Sequence, residues 1–182
     1  MPVDRKGEGL LLGQSVQNNV TLPNLSAYVK YGFTQQRKER QSTEKWVQEL
    51  DIRTPGVDQK AMNLSGGNQQ KVVLAKWLDA GTQVLILNEP TWGVDVGAKV
   101  EIYRLLEDLC EQGMGVLMMS SELPEILAIA DRILVMCAGR ITGEFGREEA
   151  TQESLMRAAI GSAEASTEAN DGKDVPQALG KV

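Results

Sequence analysis

Leu64-Ser65-Gly66-Gly67-Asn68-Gln69-Gln70-Lys71 is the stretch on which the reading of this chain turns. A serine and two glycines open a run to Ala80 that carries Val72, Val73, Ala75 and Leu78 near helical spacing. Ser65 is placed to cap that helix, whose free amides and dipole favour an anion at its start. Glycines there let a phosphate approach the backbone. On these three residues alone, a plain serine cap on a surface helix is the simpler reading. A second stretch answers the first. Val84-Leu85-Ile86-Leu87 is an apolar run of strand length, which predicts a strand covered on both faces, and it ends in Asn88-Glu89-Pro90-Thr91. A carboxylate at a strand end can polarise a water, although an isolated glutamate there is more simply a polar terminus.

Further along, helices are predicted over 97–112 (Val100, Tyr103, Leu106 and Leu109 inward) and 123–130, with Pro124 in the first turn of the second. Strands are predicted over 116–119 and 132–136, and 141–145 returns as a hairpin arm across Ala138-Gly139-Arg140. Short buried strands alternating with helices predict an α/β fold with a parallel sheet. Chemistry on such sheets sits at the carboxyl ends of strands, where Asn88-Glu89 and Ser120-Ser121 fall. A last helix is predicted over 147–160, and the Ala, Ser, Glu, Asn, Asp and Gly of 161–182 predict a disordered tail.

Upstream, 1–13 reads as a loop leading to an extended Leu10-Leu11-Leu12. Ser15 caps a predicted helix from Val16 toward Tyr31, interrupted at Pro23 and ended by Gly32. A second helix is predicted over 34–52, polar early and apolar late, before the turn Thr54-Pro55-Gly56. The expected plan is one domain over 1–160: a helical lobe over 15–63, an α/β part over 64–146 and the helix over 147–160.

Composition narrows the chemistry. The 182 residues are 42% hydrophobic and 24% charged, an ordinary globular balance. A net charge of −6 argues against a general nucleic-acid binder. No apolar run approaches the roughly 20 residues of a membrane helix, and no secretory segment follows the N-terminus. Cys110 and Cys137 lack metal-like spacing and read as reduced, buried thiols. Histidine is absent, which removes the usual general base and proton shuttle and leaves carboxylates, lysine, hydroxyls or a partner's groups.

The quoted motifs, in this order, resemble those of ABC-transporter ATPases. Leu64 to Gln70 resembles the signature motif, its Asn-Gln-Gln-Lys ending being the sugar-importer variant. Leu85-Ile86-Leu87-Asn88-Glu89-Pro90-Thr91 resembles the Walker B strand, and Gly93-Val94-Asp95-Val96-Gly97-Ala98-Lys99 the D-loop and following helix. Ser120-Ser121-Glu122-Leu123-Pro124-Glu125 resembles the switch region in the second cassette of tandem ribose, galactose and xylose ATPases. Asp4-Arg5-Lys6-Gly7 resembles the segment after that cassette's Q-loop.

The resemblance implies that Ser65, Gly66 and Gly67, with Asn68 and Gln69, face the γ-phosphate of an ATP held by an opposite cassette. It implies Glu89 as the carboxylate that orients the attacking water, Asp95 at the cassette–cassette interface, and Ser121 at the switch position, where many members have histidine. Asn88 stands at the Mg²⁺-binding Walker B aspartate position, and a neutral amide supplies less charge there. The implied cofactors are ATP and Mg²⁺. The implied partners are another cassette, a membrane permease contacted by the lobe and, indirectly, a periplasmic sugar-binding protein, on the cytoplasmic face of the membrane. These residues contain no Gly-x-x-x-x-Gly-Lys-Ser/Thr. The expectation is therefore a partial P-loop NTPase domain without its P-loop strand: a C-terminal fragment, inactive alone, that supplies the signature motif to a partner's ATP site. A non-catalytic accessory or inactive remnant is the alternative.

Overall fold

The structure is a computed structural model describing residues 1–168, with side chains to residue 160. It divides into two compact units, 1–121 and 122 onward, each described by itself.

The first unit begins with a correction. Residues Arg5–Gly9 form a π-helical turn, not a loop. Asp4 Oδ1 accepts the Lys6 and Gly7 amides at 3.0 Å each, which winds the chain locally. Helix α1 spans Val16–Thr21, capped by Ser15 as predicted. It does not run toward Tyr31. From Leu22 the chain tightens into a 3-10 segment, Leu22–Tyr28, kinked at Asn24. Strands β1 (Val29–Lys30) and β2 (Phe33–Thr34) then pair antiparallel. Gly32 is thus a hairpin residue and not a helix stop: Tyr31 (φ 53°) and Gly32 (φ 82°) form a two-residue loop with both φ positive. Helix α2 spans Gln36–Glu49.

Helix α3 spans Gly66–Asp79, and Val72, Val73, Ala75 and Leu78 are buried as predicted. So are Gln69, Gln70, Lys71 and Leu74, so the helix is enclosed on nearly all sides, with α1, α2 and α4 among its neighbours. Strand β3 (Val84–Asn88) leads through a turn to α4 (Val96–Glu111), and β4 (Gly115–Met119) pairs with β3 in parallel, Leu85 opposite Val116. Met1 lies along the far edge of β3: its amine donates to Ile86 O at 2.6 Å and its carbonyl accepts the Asn88 amide at 3.2 Å.

Three burial expectations fail here, the first at Cys110, which is exposed on α4 where a buried thiol was expected, as Cys137 of the second unit is only half-buried. Leu85 and Leu87 are buried, but Val84 and Ile86 are 61% and 54% exposed, so β3 is covered on one face only. In α4 the core is Ile102, Leu106 and Leu109, while Val100 is 42% exposed because it falls outside the phase of that stripe.

The second unit holds α5 (Leu123–Ile129), the antiparallel hairpin β5 (Arg132–Cys137) and β6 (Arg140–Gly146), and α6 (Gln152–Glu168). Ala138 (φ 49°) and Gly139 (φ 77°) make the hairpin turn, and Ile133 and Leu155 are buried. Strand β5 pairs with β6, and among the described residues the parallel pairing is that of β3 with β4. The last helix begins five residues later than predicted and continues to Glu168, into the stretch expected to be disordered. The rest of that expected tail, 169–182, lies outside the described residues.

Candidate functional site

The start of α3 and the turn between β3 and α4 form one cluster. Ser65 sits in extended backbone, is exposed and caps α3. Its Oγ accepts from Asn68 Nδ2 at 2.8 Å and, at a longer 3.5 Å, from the Asn68 amide. Asn68 is itself fixed, because its Oδ1 accepts the Arg53 amide at 2.8 Å. Gln69 turns inward: its Nε2 donates to Ala61 O at 3.0 Å, and its buried Oε1 meets no donor among the described residues. Of the five residues singled out at this helix start, Gln69 therefore points away from the exposed end.

Both glycines are pressed against the neighbouring turn. A Cβ at Gly66 would lie 2.7 Å from Arg5 Nη2 and 3.1 Å from Gly93 O. One at Gly67 would lie 2.6 Å from Ala98 Cβ. Close packing by itself requires glycine at both positions.

The turn that packs there runs from Glu89 to Asp95. Trp92 donates its amide to Glu89 O at 3.1 Å and Val94 donates to Thr91 O at 3.2 Å. Asp95 closes it as the exposed N-cap of α4, Oδ1 accepting the Ala98 amide at 3.0 Å. Arg5 braces the turn from inside: Nη1 donates to Trp92 O and Nη2 to Gly93 O at 2.9 Å. Burial lowers the Arg5 pKa below its usual range, and nearby Asp4 partly offsets this.

At the other end of the same turn, Glu89 has φ 46°, a left-handed conformation rare for a residue with a side chain. That bend leaves the sheet direction and aims the carboxylate at the end of β4. Glu89 Oε1 accepts the Ser121 amide at 2.8 Å, and Ser120 Oγ lies 3.4 Å from Oε2. The two strand ends predicted to carry chemistry are therefore joined. Asn88 precedes Glu89, half-buried, at the last position of β3.

Two polar networks tie this cluster to the lobe, and local sequence patterns give no sign of either. Asp79, the last residue of α3, accepts Tyr28 Oη at 2.7 and 2.8 Å, Ser42 Oγ, and Trp46 Nε1 at 3.1 Å. Lys71 donates to Asp51 O at 3.0 Å and to Glu101 at 2.9 Å, linking the end of α2, α3 and α4. The hydrogen bond and charge of Lys71, with Arg53 adding, hold the Glu101 carboxyl below its usual range.

Among the described residues, no group of three or more His, Cys, Asp or Glu is placed to hold a metal ion, and no helix is long and apolar enough to cross a membrane. Residues 5–92 match the family model described as ABC transporter. The chain is 50% identical over 160 residues to a ribose import ATP-binding protein of Rhodopirellula baltica, covering 88% of this chain and 31% of that protein. It is 53% identical over 154 residues to an L-arabinose transport ATP-binding protein of Geobacillus stearothermophilus, covering 85% of this chain and 30% of that one. The chain thus spans about a third of the length of these relatives. Among solved structures it resembles the ATP-binding cassette MJ0796 in a dimeric post-hydrolysis state with ADP and phosphate (TM-score 0.64, 23% identity, 76% of this chain and 59% of that one). It also resembles the ATP-binding cassette MJ1267 (TM-score 0.69, 22% identity, 81% and 63%). At these identities the structural likeness speaks for the fold.

Proposed function

We propose that the chain is an ABC-transporter ATP-binding domain, the signature-bearing part of the ATP-binding subunit of a carbohydrate importer, on the support of the family match over 5–92 and of its sugar-import relatives. The observation that carries this reading is the exposed helix start at Ser65, locked to the exposed Asp95 across Gly66 and Gly67.

The residues fit a terminal phosphate. Ser65 has an exposed hydroxyl, and the first-turn amides of a 14-residue helix have no intrahelical acceptors. ATP, bound chiefly by the P-loop of an opposite cassette, supplies the phosphoanhydride whose cleavage drives transport. The P-loop facing Ser65 belongs to that opposite cassette. The work of this chain is positional and electrostatic. Ser65 Oγ accepts from Asn68, which leaves its own proton for donation to a phosphate oxygen. The Gly66 and Gly67 amides present partial positive charge. Asp95 meets the same neighbour at the dimer interface. Glu89, oriented by the Ser121 amide, is held to align a water in the chain's own cassette. Mg²⁺ would meet Asn88 as a neutral amide, a poorer partner than a carboxylate.

The lobe is the part we assign to the membrane permease. A groove of about 330 Å³ is lined by Leu11, Gln17, Thr21, Leu22, Leu25 and Glu39, a mixed apolar and polar surface suited to a helix of the permease. The remaining partners are a second cassette and, through the permease, a periplasmic sugar-binding protein. The place of work is the cytoplasmic face of the membrane. The neutral Asn88 favours a second reading, in which the chain completes a partner's site without turning over ATP at its own.

The test is association. A sugar-import cassette with an intact P-loop and its catalytic glutamate replaced by glutamine is mixed with this chain and followed by sedimentation velocity. Association that needs ATP and is lost with Ser65→Arg is expected. ATP-independent association, or association unaffected by Ser65→Arg, overturns the reading.

A further inference from the structure

We infer that Arg5 is a positioning residue that holds the turn bearing Asp95 against the start of α3, so that Ser65 and Asp95 reach a neighbouring cassette as one surface. The functional half of this inference rests on the reading proposed above; the geometric half does not.

Arg5 is 8% exposed. Its guanidinium forks onto two consecutive carbonyls, Trp92 O and Gly93 O, at a point where the backbone turns through Gly93 at φ 65°. Among the described residues, no carboxylate forms an ion pair with it, and its buried Nε has no acceptor. Burying a charge whose hydrogen bonds go to carbonyl dipoles, with Asp4 only nearby, costs stability, so packing would be better served by an apolar side chain. What the guanidinium adds is geometry: a rigid planar fork fixes two carbonyls at once, which a single ammonium does not reproduce. The same Nη2 that binds Gly93 O passes beside Gly66, which explains why a Cβ at Gly66 would meet both. Arg5 therefore touches the turn and the signature helix with one group. The Gly67–Ala98 contact pins the two helix starts on the adjacent side.

The test is hydrogen exchange on the full chain, wild type and Arg5→Lys, alone and mixed with a sugar-import cassette that keeps its P-loop and catalytic glutamate but has its own signature serine replaced by arginine. The Val94 and Ala98 amides are the probes, because they close the turn and cap α4. The Leu155 amide, in the other unit, is the reference. Arg5→Lys is expected to speed exchange at Val94 and Ala98 about tenfold or more, the loss of one charge-assisted bond, with Leu155 unchanged. Gly66→Ala keeps the arginine but displaces its guanidinium, so it should give the same local signature even if Arg5→Lys folds poorly. In the mixture, Arg5→Lys should lower kcat about tenfold with little change in KM for ATP, the mark of lost positioning. Unchanged exchange at Val94 and Ala98 in both variants overturns the clamp. Faster exchange with unchanged kcat overturns its positioning role. If the wild-type mixture shows no turnover, the proposed function fails, and the exchange data still decide the clamp.

Discussion

A side chain at Gly67 would have to begin where the Ala98 methyl already lies, 2.6 Å from it. The starts of α3 and α4 leave no room for a side chain at this position. Gly67→Ala should therefore destabilise the protein by about 1–3 kcal/mol, the usual cost of overpacking, read as a lower denaturant midpoint. Ala98→Gly should recover most of that loss in the double variant. If Gly67→Ala is neutral, the contact is not tight in solution.

Asp79 gathers three donors from the lobe onto the last turn of α3. Asp79→Ala leaves the Tyr28, Ser42 and Trp46 donors without their acceptor and should cost about 1–3 kcal/mol. Burial first, and then the hydrogen bond and charge of Asp79, push the Tyr28 hydroxyl up to about 12, against an opposing bond with Ser42. The folded state thus holds this proton more tightly than the unfolded chain, whose tyrosine titrates near 10.0. The associated stability is complete below pH of about 10 and is lost as pH rises from there toward 12. Tyrosinate absorbance of the wild type minus that of Tyr28→Phe should show the late titration.

Lys71, nearly enclosed, joins Glu101 to the end of α2. Lys71→Met should cost about 1 kcal/mol or more, because Asp51 O loses its donor. With Lys71 holding the Glu101 carboxyl below its ordinary value, this pair stabilises the fold above pH of about 4.5 and stops doing so as pH falls further. Thermal midpoints of the wild type and Glu101→Gln should therefore converge on acidification. A difference that widens instead would contradict the pairing.

The α/β segment was legible because its signals are local. The α3 stripe, the β3 and β4 runs and their glycine breaks all lie within a few residues of the elements they define. The rest depends on distant or weak signals. Arg5 meets its carbonyl partners 87 and 88 residues away, so no window around Asp4-Arg5-Lys6 contains the reason for that arginine. Tyr31-Gly32 carries a weak hairpin signal, since tyrosine seldom takes positive φ, and the flanking pattern looked helical. The open face of β3 was missed because an apolar run records what a strand can bury, whereas neighbouring elements decide what it does bury. At the site, the joining of Glu89 to Ser120-Ser121 follows from parallel pairing of β3 and β4, which the alternation of elements had predicted. The inward turn of Gln69 follows from its contact with Ala61, which the motif string does not contain.

The central claim is that Ser65 serves a nucleotide held by another cassette, while Glu89 serves the chain's own. The most direct measurement is ATP turnover by an equimolar mixture of this chain and a sugar-import cassette that keeps its P-loop but has its own signature serine replaced by arginine. The wild-type chain should restore turnover, Ser65→Arg should abolish the restoration, and Glu89→Gln should leave most of it intact. Restoration that survives Ser65→Arg, or that disappears only with Glu89→Gln, would contradict the account.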